Sequence, residues 1–109
     1  DFVCLTDVEN VLYDIIHRGP ENFNKKIYNL GSGVATKVID MANAVADCYE
    51  NISGKKPAIE LPADVCITQE PFLDFRIDRL KSDNFLIRNN VTDELKDLLV
   101  FCSNNFSKK

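Results

Sequence analysis

The sequence predicts a mixed α/β fold: a small lobe of three main helices and short strands. Three observations carry that expectation. Apolar residues recur with helical spacing in three segments. Short apolar runs, of strand length, lie before and between them. Glycine and proline punctuate the boundaries. The elements follow in order.

Phe2-Val3-Cys4-Leu5 reads as a short strand. A helix is expected over residues 6–18. Thr6 stands three residues before Glu9, the spacing of a capping box. Val8, Val11, Leu12, Ile15 and Ile16 supply the apolar stripe, and Gly19-Pro20 ends it. Residues 21–25 are polar and predict a loop, and Ile27 to Leu30 predicts a second strand. Gly31-Ser32-Gly33 then turns the chain, and Thr36 is placed to cap a helix over 37–50. That helix carries Val38, Ile39, Ala42, Val45, Ala46 and Tyr49 on one side. Pro57 and Pro62 bound a candidate strand at Ile59-Glu60-Leu61, and residues 62–71 read as irregular. An extended piece at 73–77 leads into a helical turn capped by Asp78. The last helix is expected over 93–104, with Thr92 as its N-cap and acids in its first turn. Leu95, Leu98, Leu99, Cys102 and Phe106 form its stripe. The 109 residues are read as a single domain.

Composition excludes several function classes. The formal net charge is −4, and Lys and Arg are scattered, so there is no basic face for nucleic acid. No apolar run approaches 18 residues, so no transmembrane helix is expected. Cys4, Cys48, Cys66 and Cys102 are far apart and form no C-x-x-C pair, and His17 is the sole histidine, which argues against zinc. Two disulfides are possible by count, but buried thiols in a reducing, cytoplasmic setting are the expectation. The chain opens at Asp1 with no Met and apolar residues follow at once, as in a piece cut from a larger protein.

The glycine turn raises the question of a cofactor. Gly31 and Gly33 match the first two positions of G-x-G-x-x-G, but Thr36 fills the third. A branched side chain there keeps helix and strand apart, so the expected role is a tight turn into a capped helix. His17 is expected to favour the C-terminus of its helix, and Asp7 and Glu9 to stabilise a helix start. Asp74, Arg76 and Asp78 alternate, so a strand would place all three on one face. Two readings stand there: a local salt-bridge set, or an arginine offered to a phosphate or carboxylate ligand.

The order of these motifs resembles a known pattern. Asp1-Phe2-Val3 with Asp7-Val8, then Tyr28-Asn29-Leu30-Gly31-Ser32-Gly33, then Asp78, Lys81 and Ser82, is similar to the C-terminal part of the NAD-dependent epimerase/dehydratase family. These are extended short-chain dehydrogenases acting on nucleotide sugars. The resemblance implies a substrate-binding lobe without its Rossmann core. It covers nearly the whole chain. The family's Tyr-x-x-x-Lys pair and G-x-x-G-x-x-G do not occur here. The resemblance therefore implies no catalytic residue and no cofactor bound by this chain. NAD or NADP would belong to the parent enzyme, an epimerase, dehydratase or 4-keto reductase of polysaccharide biosynthesis. A stand-alone binding or interaction module is the alternative from a different class. Where the family has R-x-G-D, whose arginine reaches the pyrophosphate, this sequence reads Gln69-Glu70-Pro71-Phe72. Gln69, Glu70 and the displaced Arg76 are the substrate-binding candidates that follow. The implied partners are a nucleotide-diphosphate sugar and a missing N-terminal Rossmann domain, with no membrane and no nucleic acid. An apolar surface left by that domain would favour self-association.

Overall fold

The computed structural model describes residues 1–23, 27–63 and 73–106. Its elements are α1 (Leu5–Arg18), a 3-10 turn (Pro20–Asn22), α2 (Val38–Ser53), α3 (Asp78–Ser82) and α4 (Val91–Phe106). Among the described residues there is no strand. The expected α/β class is therefore wrong, and the described chain is all-helical.

The reason is that a strand exists only as one side of a ladder. Residues 27–30, 59–61 and 73–77 have strand-like composition but no regular structure. The Asn29 side-chain amide bonds the Arg76 carbonyl at 3.0 Å, a side-chain bond where a sheet would use backbone. At the first expected strand, Leu5 is already helical, and the Cys4 carbonyl accepts from the amides of Asp7 and Val8.

The three long helices form where the periodicity placed them, with different entries. Cys4 and Lys37, both extended in backbone, stand at the N-caps of α1 and α2, and neither side chain makes a capping bond. Thr6 thus lies inside α1, and Thr36 precedes the cap of α2. Thr92 lies in the first turn of α4, and Asp78 opens α3 behind Ile77 at its N-cap. Gly54, left-handed at φ 75°, closes α2 through its amide to the Glu50 carbonyl at 2.8 Å.

The chain forms two compact units. Unit 1 comprises residues 1–35 and 72–90, and unit 2 comprises 36–71 and 91–109. The core of unit 1 is Val11, Ile77, Leu80 and Phe85, with Phe23, Tyr28, Leu30, Phe75 and Ile87 packed around it. Leu80 has no exposed surface at all. The α1 stripe divides between two sides. Val11 is buried with Asp7, one turn earlier, while Leu5, Leu12 and Ile16 fall on the opposite side and are exposed. In unit 2, α2 packs against α4 and buries Ala46 and Cys48, while no residue of α4 is fully buried.

Candidate functional site

The glycine turn is an anion site that the chain fills itself. The Ser32 amide donates to Asp1 Oδ1 at 2.8 Å, and the Gly33 amide donates to Asp1 Oδ2 at 3.0 Å. Successive amides converging on one carboxylate resemble the way backbone nests hold phosphate. The Ser32 hydroxyl accepts from the Val34 amide at 3.0 Å and tightens the bend. Both glycines are required by packing. A Cβ at Gly31 would lie 2.5 Å from the Phe75 ring, and one at Gly33 would lie 2.8 Å from Ile77. Gly33 also has φ 71°, where a side chain is strained.

Two more acids act as fasteners. Asp7, only 2% exposed, accepts from the Arg88 amide at 2.9 Å and the Asn89 amide at 2.8 Å. It lies in the first turn of α1, as its sequence position suggested, but its carboxylate secures a distant segment instead of its own helix. The buried Asp83 carboxylate accepts from the Tyr28 hydroxyl. Arg18 reaches the carbonyls of Asp83 at 2.8 Å and Asn84 at 3.1 Å, pairs with Asp14 at 2.6 Å, and lies 4.7 Å from the centre of the Phe85 ring. His17 stacks on Tyr13 at 3.8 Å and donates from Nδ1 to the Tyr13 carbonyl at 2.8 Å. These side chains are committed to structure.

The candidate site is a cleft of about 390 Å³ in unit 1, lined by Ile27, Asn29, Arg76, Asp78 and Arg79. Arg76 Nε donates to Asp74 at 2.8 Å. That hydrogen bond, the charge of Asp74 and then the charge of Asp78 hold the Arg76 guanidinium above its ordinary pKa. Arg76 thus pairs with Asp74, one of the two acids that alternate with it, although residues 73–77 are not a strand. The Arg79 side chain, absent from the sequence-based site, enters the same cleft. Its signal was the spacing Arg76-x-x-Arg79 across the start of a short helix. Gln69 and Glu70 lie outside the described residues.

A second groove, of about 490 Å³, runs between α2 and α4 in unit 2. Cys48, Thr92 and Lys96 are on its walls. Cys48 and Cys102 are not in disulfides. Among the described residues, no cluster of His, Cys, Asp and Glu is suited to a metal ion, and no helix is long and apolar enough to cross a membrane. The unit 1 cleft offers guanidinium donors, an amide and an exposed isoleucine, a set suited to binding an oxyanion beside a neutral group. Nothing in it is arranged as a nucleophile with its base. No protein-family model, curated protein or solved structure matches this chain.

Proposed function

We propose that this chain is the nucleotide-sugar-binding portion of a cytoplasmic NAD(P)-dependent epimerase or dehydratase. Its cofactor and its proton-transfer residues would be held on a separate Rossmann domain. One observation supports the reading above the others: the three segments that carry the family resemblance meet inside unit 1. Asp1 of the first segment holds the amides of Ser32 and Gly33 in the second. Gly31 and Gly33 lie against Phe75 and Ile77, which lead directly into the third segment, Asp78–Ser82. Leu80 of that segment shares the core with Val11, from the helix following Asp1-Phe2-Val3. Segments dozens of residues apart in sequence thus depend on one another for packing.

Two further features agree with the reading. The Arg76 cleft presents cationic donors suited to a diphosphate. The outward side of α1, with Leu5, Leu12 and Ile16 at least half exposed, is an apolar surface of the sort a companion domain covers. The chain supplies substrate contacts, and the hydride and proton steps belong to the companion domain.

The test is a titration of the 109-residue chain with UDP-glucose and dTDP-glucose, followed by amide chemical shifts. The reading expects saturable shifts at Asn29, Arg76 and Arg79. No shift there at millimolar ligand removes the assignment. Epimerisation by the purified chain alone would remove the division of labour.

A further inference from the structure

We propose that the groove between α2 and α4 in unit 2 binds a small monocarboxylate with an unbranched apolar chain. Lys96, Asn51 and Thr92 hold the carboxylate, and the chain lies on Cys48. The site belongs to the other unit from the Arg76 cleft and does not depend on the nucleotide-sugar reading.

The groove exists because small residues stand where large ones would fill it. Ala44 and Cys48 are one turn apart on α2, and Ile52 follows one turn later. A large apolar side chain at position 44 or 48 would occupy the hollow. Alanine and cysteine leave about 490 Å³, a volume in the range of small-molecule sites. Cys48, 8% exposed, forms the floor, and Ile52, 38% exposed, forms an apolar edge.

Three donors on the walls are uncommitted. The side chains of Asn51, Thr92 and Lys96 line the groove and make no hydrogen bond or ion pair among the described residues. Other polar side chains of the same two helices are spent on their own backbone. Asn43 donates to the Ile39 carbonyl at 2.9 Å, Ser53 to the Tyr49 carbonyl at 2.9 Å and Asn105 to the Phe101 carbonyl at 2.8 Å. Thr92 and Lys96 are one turn apart on α4, so they serve the same stretch of groove.

Charge selects the head group. Among the described residues that line the groove, Lys96 is the one cation. Asp47, the acid on the wall, is paired with Lys56, whose ammonium also lies 4.0 Å from Glu50. Asp47 is thus matched by a cation from outside the groove, and Lys96 is left for a ligand. The first-turn acids of α4, Asp93 and Glu94, do not line the groove. One cation meets one negative charge. A dianionic phosphate would bring a second charge beside Asp47 with no further cation to meet it. The two oxygens of a carboxylate can accept from one ammonium, one amide and one hydroxyl.

The probes are octanoate, octanol, acetate and octyl phosphate, each titrated into the full chain and read by amide shifts and calorimetry. Octanoate should saturate with a dissociation constant on the order of 1 mM, as a ligand of its size allows. The shifts should centre on Cys48, Asn51, Thr92 and Lys96. Octanol, which lacks the charge, should bind about fivefold more weakly, the worth of one exposed ion pair. Acetate, which lacks the chain, should not saturate in the same range, because it buries almost no apolar surface. Octyl phosphate should bind about threefold more weakly than octanoate. Lys96→Gln should weaken octanoate about fivefold and leave octanol within about twofold. Lys96 is exposed, so this variant tests binding and not folding. Cys48→Leu, which fills the floor, should abolish the octanoate shifts. Octanol that binds as tightly as octanoate, or a Lys96→Gln chain that binds octanoate unchanged, would overturn the carboxylate contact. Octyl phosphate that binds more tightly than octanoate would overturn the preference for a single charge. Shifts that centre elsewhere, or no saturation at about ten times the expected dissociation constant, would overturn the site itself.

Discussion

Gly33 and Gly54 have nearly the same φ, 71° and 75°, in surroundings that have little in common. Gly33, in unit 1, has Ile77 pressed against the place where a Cβ would stand. Gly54, in unit 2, has open space there. The contrast extends to each unit as a whole. Unit 1 has short irregular segments around a small, fully buried core, fastened by the carboxylates of Asp1, Asp7 and Asp83 to distant partners. Unit 2 is a pair of amphipathic helices with two small residues, Ala46 and Cys48, buried. Where repetitive backbone bonding is missing, single side chains must satisfy the amides that a ladder or helix would otherwise satisfy. Each such side chain then becomes hard to replace.

The largest effect expected from this contrast is at Leu80. Leu80→Ala should destabilise unit 1 by about 2–5 kcal/mol, because the residue is wholly buried and its neighbours are large. In unit 2, Cys48→Ala removes one sulfur from beside a groove and should cost about 1 kcal/mol or less. Urea unfolding midpoints measure both, and equal losses would erase the contrast. Next is Asp7→Ala, at about 2–4 kcal/mol, since it leaves the amides of Arg88 and Asn89 without their acceptor. Asp7→Asn keeps one acceptor oxygen and should lose about half as much. The glycines give the sharpest comparison. Gly54→Ala should cost about 1–2 kcal/mol, the conformational penalty alone. Gly33→Ala should cost about 2–4 kcal/mol, because the clash with Ile77 adds to that penalty. Pairing Gly33→Ala with Ile77→Ala should relieve the added part. The smallest effect is at Asp74, whose exposed ion pair with Arg76 should leave the unfolding midpoint unchanged when Asp74 becomes Ala.

The same contrast explains what the sequence disclosed. α1, α2 and α4 were legible because apolar periodicity reports a helix directly, and their observed ends differ from the expected ones by at most three residues. Their caps were not legible. Thr6, Thr36, Thr92 and Asp78 are good capping residues by type, but extended backbone places the entries of α1 and α2 at Cys4 and Lys37, and Ile77 stands at the N-cap of α3. The strands failed for a related reason. Tyr28 and Leu30 are apolar because they pack on the unit 1 core, and an apolar run reports burial without reporting a ladder partner. Asp7 was taken for a helix-start acid, yet it sits four residues before Val11, on the side of α1 that faces inward. A carboxylate on an apolar stripe was the signal for a fastener. At the candidate site, Arg76 and its acidic neighbours were legible from their alternation. Arg79 was not, because the cleft depends on the fold of residues 27–29 against 76–79.

The central claim is that the resembling segments are joined through the Asp1 carboxylate, and hydrogen exchange at Ser32 and Gly33 tests it most directly. The amides of both residues should be protected in the intact chain. In Asp1→Ala they should exchange about tenfold faster or more, the equivalent of losing one hydrogen bond to a charged acceptor. Exchange at both amides that is fast in the intact chain, or unaltered by Asp1→Ala, would contradict the claim.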